Sequence, residues 1–164
     1  MRAPDGGGPC RCWGQLGDYK SDAALSPQLV PGGIKWSQLS VGVSHICGLS
    51  AANSAAFCWG QPAYGNQDGQ LGSGTTAPAT TPTPVAGGRA YSSIVSGQAH
   101  TCAIEKATSA LFCWGRNVFG QLGNASLPIG QTSLYPQPTP AFAGRQCSSV
   151  GVGWEVTCAI LAGD

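Results

Sequence analysis

The tripeptide Cys-Trp-Gly occurs three times in this chain of 164 residues, at residues 12–14, 58–60 and 113–115. Each copy is followed by the tetrapeptide Gly-Gln-Leu-Gly, which occupies residues 14–17, 69–72 and 120–123. A compound pattern that recurs about every 50 residues is typical of solenoids, propellers and other repeat arrays. The chain is therefore predicted to consist of similar structural units placed side by side.

A longer segment repeats with the same period. Residues 32–47 match residues 87–102 at a constant offset of 55, and residues 144–158 form a third copy. Between copies the chain length changes at only two points, one before and one after the Gly-Gln-Leu-Gly turn. Insertions that are confined to fixed points indicate a constant core with variable loops on the surface.

Within each unit the short apolar runs favour β-strands. Residues 55–59 and 111–114 are rich in aromatic side chains, and residues 39–41 and 94–95 are apolar or β-branched. Glycine, proline, serine and asparagine cluster between these runs, as they do in turns. The 25 glycines and 12 prolines disfavour long helices. We therefore expect an all-β chain of short strands.

The order of these motifs resembles the regulator of chromosome condensation repeat. It runs Gly-Gly, aromatic, Ser-x-Ile/Leu, Gly, His-x-Cys, then Cys-Trp-Gly and Gly-Gln-Leu-Gly, over roughly residues 10–160. The copy at residues 91–123 is the best match, and the cysteine-bearing version is similar to extracellular and bacterial variants. The resemblance implies a β-propeller whose blades are four-stranded antiparallel sheets.

The length allows about three such blades, which are too few to close a ring. We therefore expect a single repeat domain over residues 1–164, with approximate repeats at 10–58, 59–113 and 114–164 and half-blades at both ends. The incomplete ring is either a fragment or is completed by another chain.

Charge is scarce, because only 9% of the residues are charged and the net charge is +1. Such a surface suggests cover by partners, by sugar or by neighbouring copies. We expect no nucleic-acid partner, because there is no basic patch. We expect no membrane span, because no run of 18 apolar residues occurs. Residues 1–25 lack the apolar segment of a signal peptide.

Eight cysteines without a Cys-x-x-Cys pair indicate disulfides and an oxidising, extracellular or secretory compartment. Cys47 and Cys58 are 11 residues apart, as are Cys102 and Cys113, so each pair lies opposite if it closes a hairpin. Each bridge would contribute about 2–3 kcal/mol. The alternative is free buried thiols in a cytosolic propeller. A metal site needs clustered Cys and His ligands, which Cys10-x-Cys12 does not supply, so no metal or other cofactor is expected.

The other four cysteines lie in two partial repeat units that complement each other. Cys158 occupies the first position of a hairpin pair and Cys12 the second, so a Cys12–Cys158 bridge, with Cys10–Cys147 beside it, would complete a blade. Formed between chains, this exchange gives a closed oligomer or a head-to-tail filament. The alternative is that the missing partners lie in sequence outside this chain.

Glycosylation has two candidate locations. Asn124-Ala-Ser126 is an N-glycosylation sequon in a predicted loop. The Thr- and Pro-rich stretch 75–84 favours an extended backbone and is typical of O-linked or hydroxyproline-linked sugar. Its candidate positions are Thr75, Thr76, Thr80, Thr81, Pro82, Thr83 and Pro84. The alternative is an ordinary loop, since this repeat family commonly carries Thr and Pro there.

The repeated histidines and tryptophans are interpreted as structural positions. His45 and His100 are equivalent in successive repeats, and Val156 at the third position shows that an ionisable side chain is not required. Inter-blade packing explains the tryptophans better than an aromatic platform for sugar or peptide; these are Trp13, Trp59 and Trp114. No nucleophile, base and acid come together as a set, so no catalytic residue is predicted.

These observations predict a non-catalytic extracellular module, specifically a disulfide-linked, glycosylated, self-assembling protomer of a filament or coat. One alternative is a fragment of a larger propeller ectodomain that binds a protein or glycan. A second, from family analogy alone, is guanine-nucleotide exchange with chromatin binding. The cysteines and the lack of basic character disfavour that nuclear role.

Overall fold

The chain folds almost entirely into β-strands in a computed structural model that describes residues 8–9, 11–14, 24–60, 64–130 and 134–163. In these ranges the one helical element is a 3₁₀ turn at Phe142–Gly144, and no helix is long and apolar enough to cross a membrane. The strands are β1 (Gly8–Pro9), β2 (Arg11–Gly14), β3 (Ala24–Leu29), β4 (Lys35–Val41), β5 (His45–Ser50), β6 (Ala56–Gly60), β7 (Thr83–Pro84), β8 (Tyr91–Ser96), β9 (His100–Glu105), β10 (Leu111–Arg116), β11 (Leu134–Pro140), β12 (Cys147–Val152) and β13 (Thr157–Leu161).

Two complete antiparallel blades form the middle of the molecule. Blade 1 has the strand order β4-β5-β6-β7, and blade 2 has the order β8-β9-β10-β11. These sheets confirm the expected propeller-type blades. Strand β1 was not foreseen: it adds a fifth strand to blade 1, with Gly8 opposite Trp36 and Pro9 opposite Lys35.

A two-stranded sheet flanks the complete blades on each side. The N-terminal half-blade pairs β2 with β3, and β2 carries the Cys-Trp-Gly that β6 and β10 carry as third strands. The C-terminal half-blade pairs β12 with β13, which correspond by repeat register to the first and second strands β8 and β9. Each half-blade therefore contains the two strands that the other lacks, and the ring is open.

A disulfide joins the second and third strands of each complete blade. Cys47 lies directly opposite Cys58 with an S–S distance of 2.13 Å, and Cys102 lies opposite Cys113 at 2.17 Å. All four sulfurs belong to fully buried residues. The hairpin register that the 11-residue spacing requires is therefore the one that the strands adopt.

The two faces of each blade have different roles in packing. Trp36 and Trp59 of blade 1 pack with Val30 next to the N-terminal half-blade, whereas its disulfide packs with blade 2. In the same way Trp114 of blade 2 faces blade 1, and the Cys102–Cys113 bridge faces the C-terminal half-blade. Tryptophans thus point to the preceding blade and disulfides to the following one.

Removal of the blade 2 disulfide tests its contribution to stability. We expect the double variant Cys102→Ala, Cys113→Ala to lose about 2–3 kcal/mol of unfolding free energy, because the bridge restricts the unfolded chain. Urea unfolding of non-reduced protein measures this difference, and Gln137→Ala on exposed blade 2 surface is the control. An unchanged unfolding midpoint would show that the bridge is not formed or does not stabilise the fold.

Candidate functional site

A buried hydrogen-bonded joint connects blade 1 to blade 2. The hydroxyl of Thr101 donates to the carbonyl of Gln70 over 2.9 Å, and His45 Nε2 lies 2.8 Å from the same hydroxyl. Because the hydroxyl has a single proton, it accepts a hydrogen bond from His45, which therefore carries its proton on Nε2. The hydrogen bond of His45 thus helps to hold the two blades together.

The joint is repeated between blade 2 and the C-terminal half-blade. Thr157 donates to the carbonyl of Gln121 over 2.8 Å, and His100 Nε2 lies 3.0 Å from the Thr157 hydroxyl. Burial lowers the pKa of His100 to about 4. Burial, with the nearby His100 as a second cause, lowers the pKa of His45 to about 3. Both imidazoles are therefore neutral near pH 7, as structural hydrogen-bond donors.

The tryptophan of the third Cys-Trp-Gly motif belongs to the same joint. Trp114 Nε1 donates to the carbonyl of Gln70 over 3.0 Å, so this one oxygen receives a donor from Trp114 and another from Thr101. Gly72, with a φ of +68°, lies so close that a Cβ would stand 2.5 Å from Trp114 Nε1. We call the Gln70 carbonyl, Leu71 and Gly72 the tryptophan socket of blade 1. Gly-Gln-Leu-Gly and Cys-Trp-Gly are therefore two halves of one contact between successive blades.

Two buried amide side chains hold each socket in shape, and sequence reasoning assigned them no role. Asn66 Oδ1 accepts the Leu71 N–H, and Gln70 Nε2 donates to the carbonyl of Tyr64. Asn117 Oδ1 accepts the Leu122 N–H in the same way. The signal was present in the sequence, because each asparagine precedes the glutamine of its Gly-Gln-Leu-Gly by four residues.

The exposed face of the C-terminal half-blade is the candidate interaction site. Cys158 is exposed there, beside Ile160, which is 66% exposed. Val156 and Trp154 precede them and are also exposed. In the described part of the chain, β13 pairs only with β12, so its other edge presents free backbone groups.

The structure describes three of the four remaining cysteines, and they differ in their surroundings. Cys12 packs with the cluster that faces blade 1, and Cys158 is exposed on the side away from blade 2. Cys147 is buried on the opposite face, against the Cys102–Cys113 bridge, and burial raises the pKa of its thiol. The Cys12–Cys158 and Cys10–Cys147 bridges stay predictions. Cys10 and the side chain of Trp13 lie outside the described residues.

The sugar candidates occupy different surroundings. Asn124 is half-buried, its Nδ2 donates to the carbonyl of Pro140 over 2.8 Å, and its Oδ1 accepts the Ser126 N–H. In the Thr- and Pro-rich stretch, Thr83 and Pro84 form β7. The exposed positions are Thr75, Thr76, Thr81 and Pro84, and the half-buried ones are Thr80, Pro82 and Thr83. Modification of these residues stays a prediction.

The acid sensitivity of the joints follows from the neutral histidines. The unfolded chain binds a proton at each histidine near pH 6.5, whereas folded His100 does so only near pH 4. Stability is therefore complete above about pH 6.5 and falls below it, by about 1.4 kcal/mol per pH unit for each histidine. Urea unfolding at several pH values between 6.5 and about 5 measures this slope. The double variant His45→Gln, His100→Gln keeps an N–H donor at each position, and its unfolding free energy should change much less with pH. A slope equal to that of the parent protein would contradict the role of the histidines.

The close approach at the socket gives a second prediction. Gly72→Ala adds a Cβ both at positive φ and against Trp114, whereas Gly88, with a φ of +61°, has open space around it. We expect Gly88→Ala to cost about 1–2 kcal/mol for the backbone conformation alone. Gly72→Ala should cost about 1–3 kcal/mol more because of the crowding. If Gly72→Ala and Gly88→Ala lost the same unfolding free energy in thermal or urea unfolding, Trp114 would not pack against Gly72.

Comparison with known proteins shows which proteins this chain resembles. The Regulator of chromosome condensation (RCC1) repeat matches residues 54–104 and 109–160, and a second RCC1 repeat profile matches residues 91–121. The chain is 28% identical over 153 residues to the ultraviolet-B receptor UVR8 of Arabidopsis thaliana, a match that covers 91% of the chain and 33% of that protein. It is 39% identical over 89 residues to the probable E3 ubiquitin-protein ligase HERC4 of Homo sapiens, covering 52% of the chain and 8% of the ligase.

A solved structure supports the same assignment. Prp20p from Saccharomyces cerevisiae, crystallised in a study of its binding to Gsp1p and histones, aligns with a TM-score of 0.67 and 26% identity. The alignment covers 89% of this chain and 34% of Prp20p. The chain thus spans about a third or less of the length of these relatives. It belongs to the regulator of chromosome condensation (RCC1) repeat family, and its two blades and two half-blades form an incomplete β-propeller of that family.

Proposed function

We propose that this chain is a non-catalytic interaction module that works outside the cytosol, as the disulfide-linked, glycosylated protomer of a self-assembled filament or coat. The observation that carries the proposal is the complementarity of the half-blades. The C-terminal half-blade has first and second strands, and the N-terminal half-blade has third and fourth strands. A second copy supplies what the first lacks.

The geometry of this exchange determines the type of assembly. The contact joins two different surfaces, one at each end of the blade series, so it is heterologous. A heterologous contact produces a closed ring when its rotation closes and an open filament when it does not. Either outcome leaves no half-blade unpaired inside the particle, which is the physical reason for assembly.

One feature supports a location outside the cytosol, and another supports self-assembly. Both complete blades contain a buried disulfide, and such bridges persist in oxidising compartments. Charged residues make up only 9% of the chain, so few like charges oppose the approach of neighbouring copies.

The histidines support a structural rather than a catalytic role. Each donates through Nε2 to a threonine of the neighbouring blade, and burial keeps each one neutral. A histidine with a pKa near 3 or 4 is a poor general base at neutral pH. Its place in the joint therefore accounts for its presence without any reaction.

Intact-mass spectrometry of protein secreted from eukaryotic cells, without reduction, tests the proposal. We expect a ladder of covalent multimers that collapses to one chain on reduction, because the contact joins copies through exposed cysteine. Added mass in hexose-sized steps would show the glycan component. A single unmodified monomer would contradict self-assembly and glycosylation together.

The sequon is tested separately by Asn124→Gln. We expect the variant to lose the mass of one N-linked glycan, while any O-linked mass on residues 75–84 stays. The bond from Asn124 Nδ2 to Pro140 means that the sugar would be added before this loop closes. A variant that differs in mass from the parent protein only by the added CH2 of glutamine would exclude modification at Asn124.

A polar cavity favours a second candidate function, a glycan- or peptide-binding segment of a larger propeller ectodomain. The cavity has a volume of about 320 Å³ and lies between the blade 1 and blade 2 loops, beside Tyr64, Asp68, Gln98 and Arg116. Tyr64 is 64% exposed, and Gln98 Oε1 is a buried acceptor that has no hydrogen-bond partner among the described residues. An exposed aromatic ring next to polar side chains suits a sugar. Tyr64→Ala should then weaken binding on a glycan array at least as much as substitution of any other exposed residue. If neither the parent protein nor the variant bound a glycan, this second function would be excluded.

A further inference from the structure

The complete blades bring basic residues together at one end of their strands. Lys35 is the first residue of β4, Arg89 precedes β8 by two residues, and Lys106 directly follows β9. Neighbouring strands of a blade are antiparallel, so the start of its first strand and the end of its second strand lie side by side. All three side chains are exposed. We call this the hairpin end, because the turns between second and third strands lie there.

Backbone contacts make these positions continuous from one blade to the next. The turn after β5 starts with a hydrogen bond to the carbonyl of Lys35 and reaches blade 2, where Lys106 Nζ donates to Ser54 Oγ over 3.3 Å. The turn after β9 reaches the following half-blade in the same way, since the Cys147 N–H donates to the carbonyl of Ser109. The two turns and the basic side chains beside them therefore form one connected surface.

Two more basic residues extend this surface. Arg145 lies two residues before Cys147, and Arg11 lies two residues after Pro9, which is opposite Lys35. Five of the six basic residues in the described part of the chain therefore lie at the hairpin end. We call them the basic strip: Arg11, Lys35, Arg89, Lys106 and Arg145. They are far apart in the sequence, which is why the sequence alone shows no basic patch.

The acidic residues are distributed in the opposite way. Of the three in the described ranges, Asp68 and Glu155 lie near Arg116, which ends β10 at the other end of the strands. Glu105 is the third, and Arg89 Nη1 lies 2.6 Å from its Oε1. This carboxylate neutralises one member of the strip. Positive charge remains in excess at the hairpin end.

We propose that the basic strip binds an acidic polysaccharide, a chain whose sugars carry carboxylate or sulfate groups. Lys35, Lys106 and Arg145 belong to successive sheets, so the positive groups form a row instead of a single pocket. A row of exposed cations complements a linear chain with repeated negative charges. The turns between them, at residues 51–55 and 107–110, carry only alanine, asparagine, serine and threonine. Small side chains leave the row accessible to a polymer.

Two features favour a polysaccharide over a nucleic acid. Proteins that bind single strands stack successive bases on several aromatic rings. In the described residues Phe142 is the one exposed aromatic side chain next to the strip, where its carbonyl accepts the Arg145 N–H. The two buried disulfides also favour an oxidising compartment. This second point rests on the proposed location outside the cytosol, whereas the charge argument does not.

Titration of the full chain with charged oligosaccharides tests the strip. The probes are a heparin oligosaccharide, which carries sulfates, and an oligogalacturonate, which carries carboxylates. We expect at least one to bind, with an affinity that falls as salt rises. The double variant Lys35→Gln, Lys106→Gln should bind about tenfold or more weakly, with a salt slope lower by about two. Lys35→Arg, Lys106→Arg keeps both charges and should bind as the parent protein does. No binding of either probe would overturn the proposal.

A charge-matched control separates the strip from the net charge of the chain. Lys35→Gln and Val41→Glu each lower the net charge by one, but Val41 is 71% exposed at the other end of β4, about 20 Å away. At about 0.15 M salt the screening length is about 8 Å, so Val41→Glu should leave binding nearly unchanged. Lys35→Gln should weaken binding several-fold. Equal effects would mean that binding follows net charge and would overturn the strip.

Competition identifies the class of polymer. A single-stranded deoxyoligonucleotide and polyglutamate, each at the same concentration of negative charge, should displace the oligosaccharide more weakly than unlabelled oligosaccharide does. Stronger displacement by the oligonucleotide would assign the strip to nucleic acid, and stronger displacement by polyglutamate would assign it to an acidic protein. Either result would overturn the polysaccharide.

The same variants distinguish this proposal from the proposed assembly. The substitutions Lys35→Gln and Lys106→Gln lie in the complete blades and leave both half-blades intact. Their non-reduced mass spectrum should therefore show the same multimers as the parent protein. Multimers without oligosaccharide binding would overturn the strip alone, and binding by a strictly monomeric protein would overturn the assembly alone.

Discussion

The carbonyl oxygen of Gln70 is the point on which the arrangement of blades depends. It accepts a hydrogen bond from Thr101 and another from Trp114, and His45 donates to the same threonine. These donors belong to two successive blades, and the site is buried. An unmatched polar group in such a place costs about 1–3 kcal/mol, so the whole set of partners is needed at once. The orientation of one blade is thereby fixed against the next.

The repeat period and the register of the disulfide-bonded hairpins could be predicted from the sequence. The hydrogen-bonded joint between successive blades could not. Cys47 and Cys58 belong to one hairpin, so their spacing alone defines their pairing. Gln70 and Trp114 are 44 residues apart, and both motifs have simpler explanations when each is considered alone. Turn chemistry accounts for Gly-Gln-Leu-Gly, and packing accounts for Cys-Trp-Gly. Only the structure shows that one motif receives the other.

The face on which Cys147 lies also escaped sequence reasoning. Its repeat position is that of Trp36 and Tyr91, and that position faces the preceding blade, whereas the position of Cys158 faces the following one. The sequence argument used the shared face of Cys10 and Cys12, which are two residues apart on one strand, and it did not consider the face of Cys147. Strand β1 was missed for a different reason: Gly8–Pro9 has no β-branched or aromatic side chain, and its pairing with β4 depends on the path of the rest of the chain.

Strand β1 has a mechanical consequence. It is hydrogen-bonded to the first strand of blade 1, and a single residue separates it from β2, which belongs to the neighbouring half-blade. A pull on β2 is therefore transmitted through the backbone to β1 and into the sheet that contains the Cys47–Cys58 crosslink. Load applied at this end of the molecule is shared between two strand pairings and a covalent bridge, instead of falling on one exposed edge.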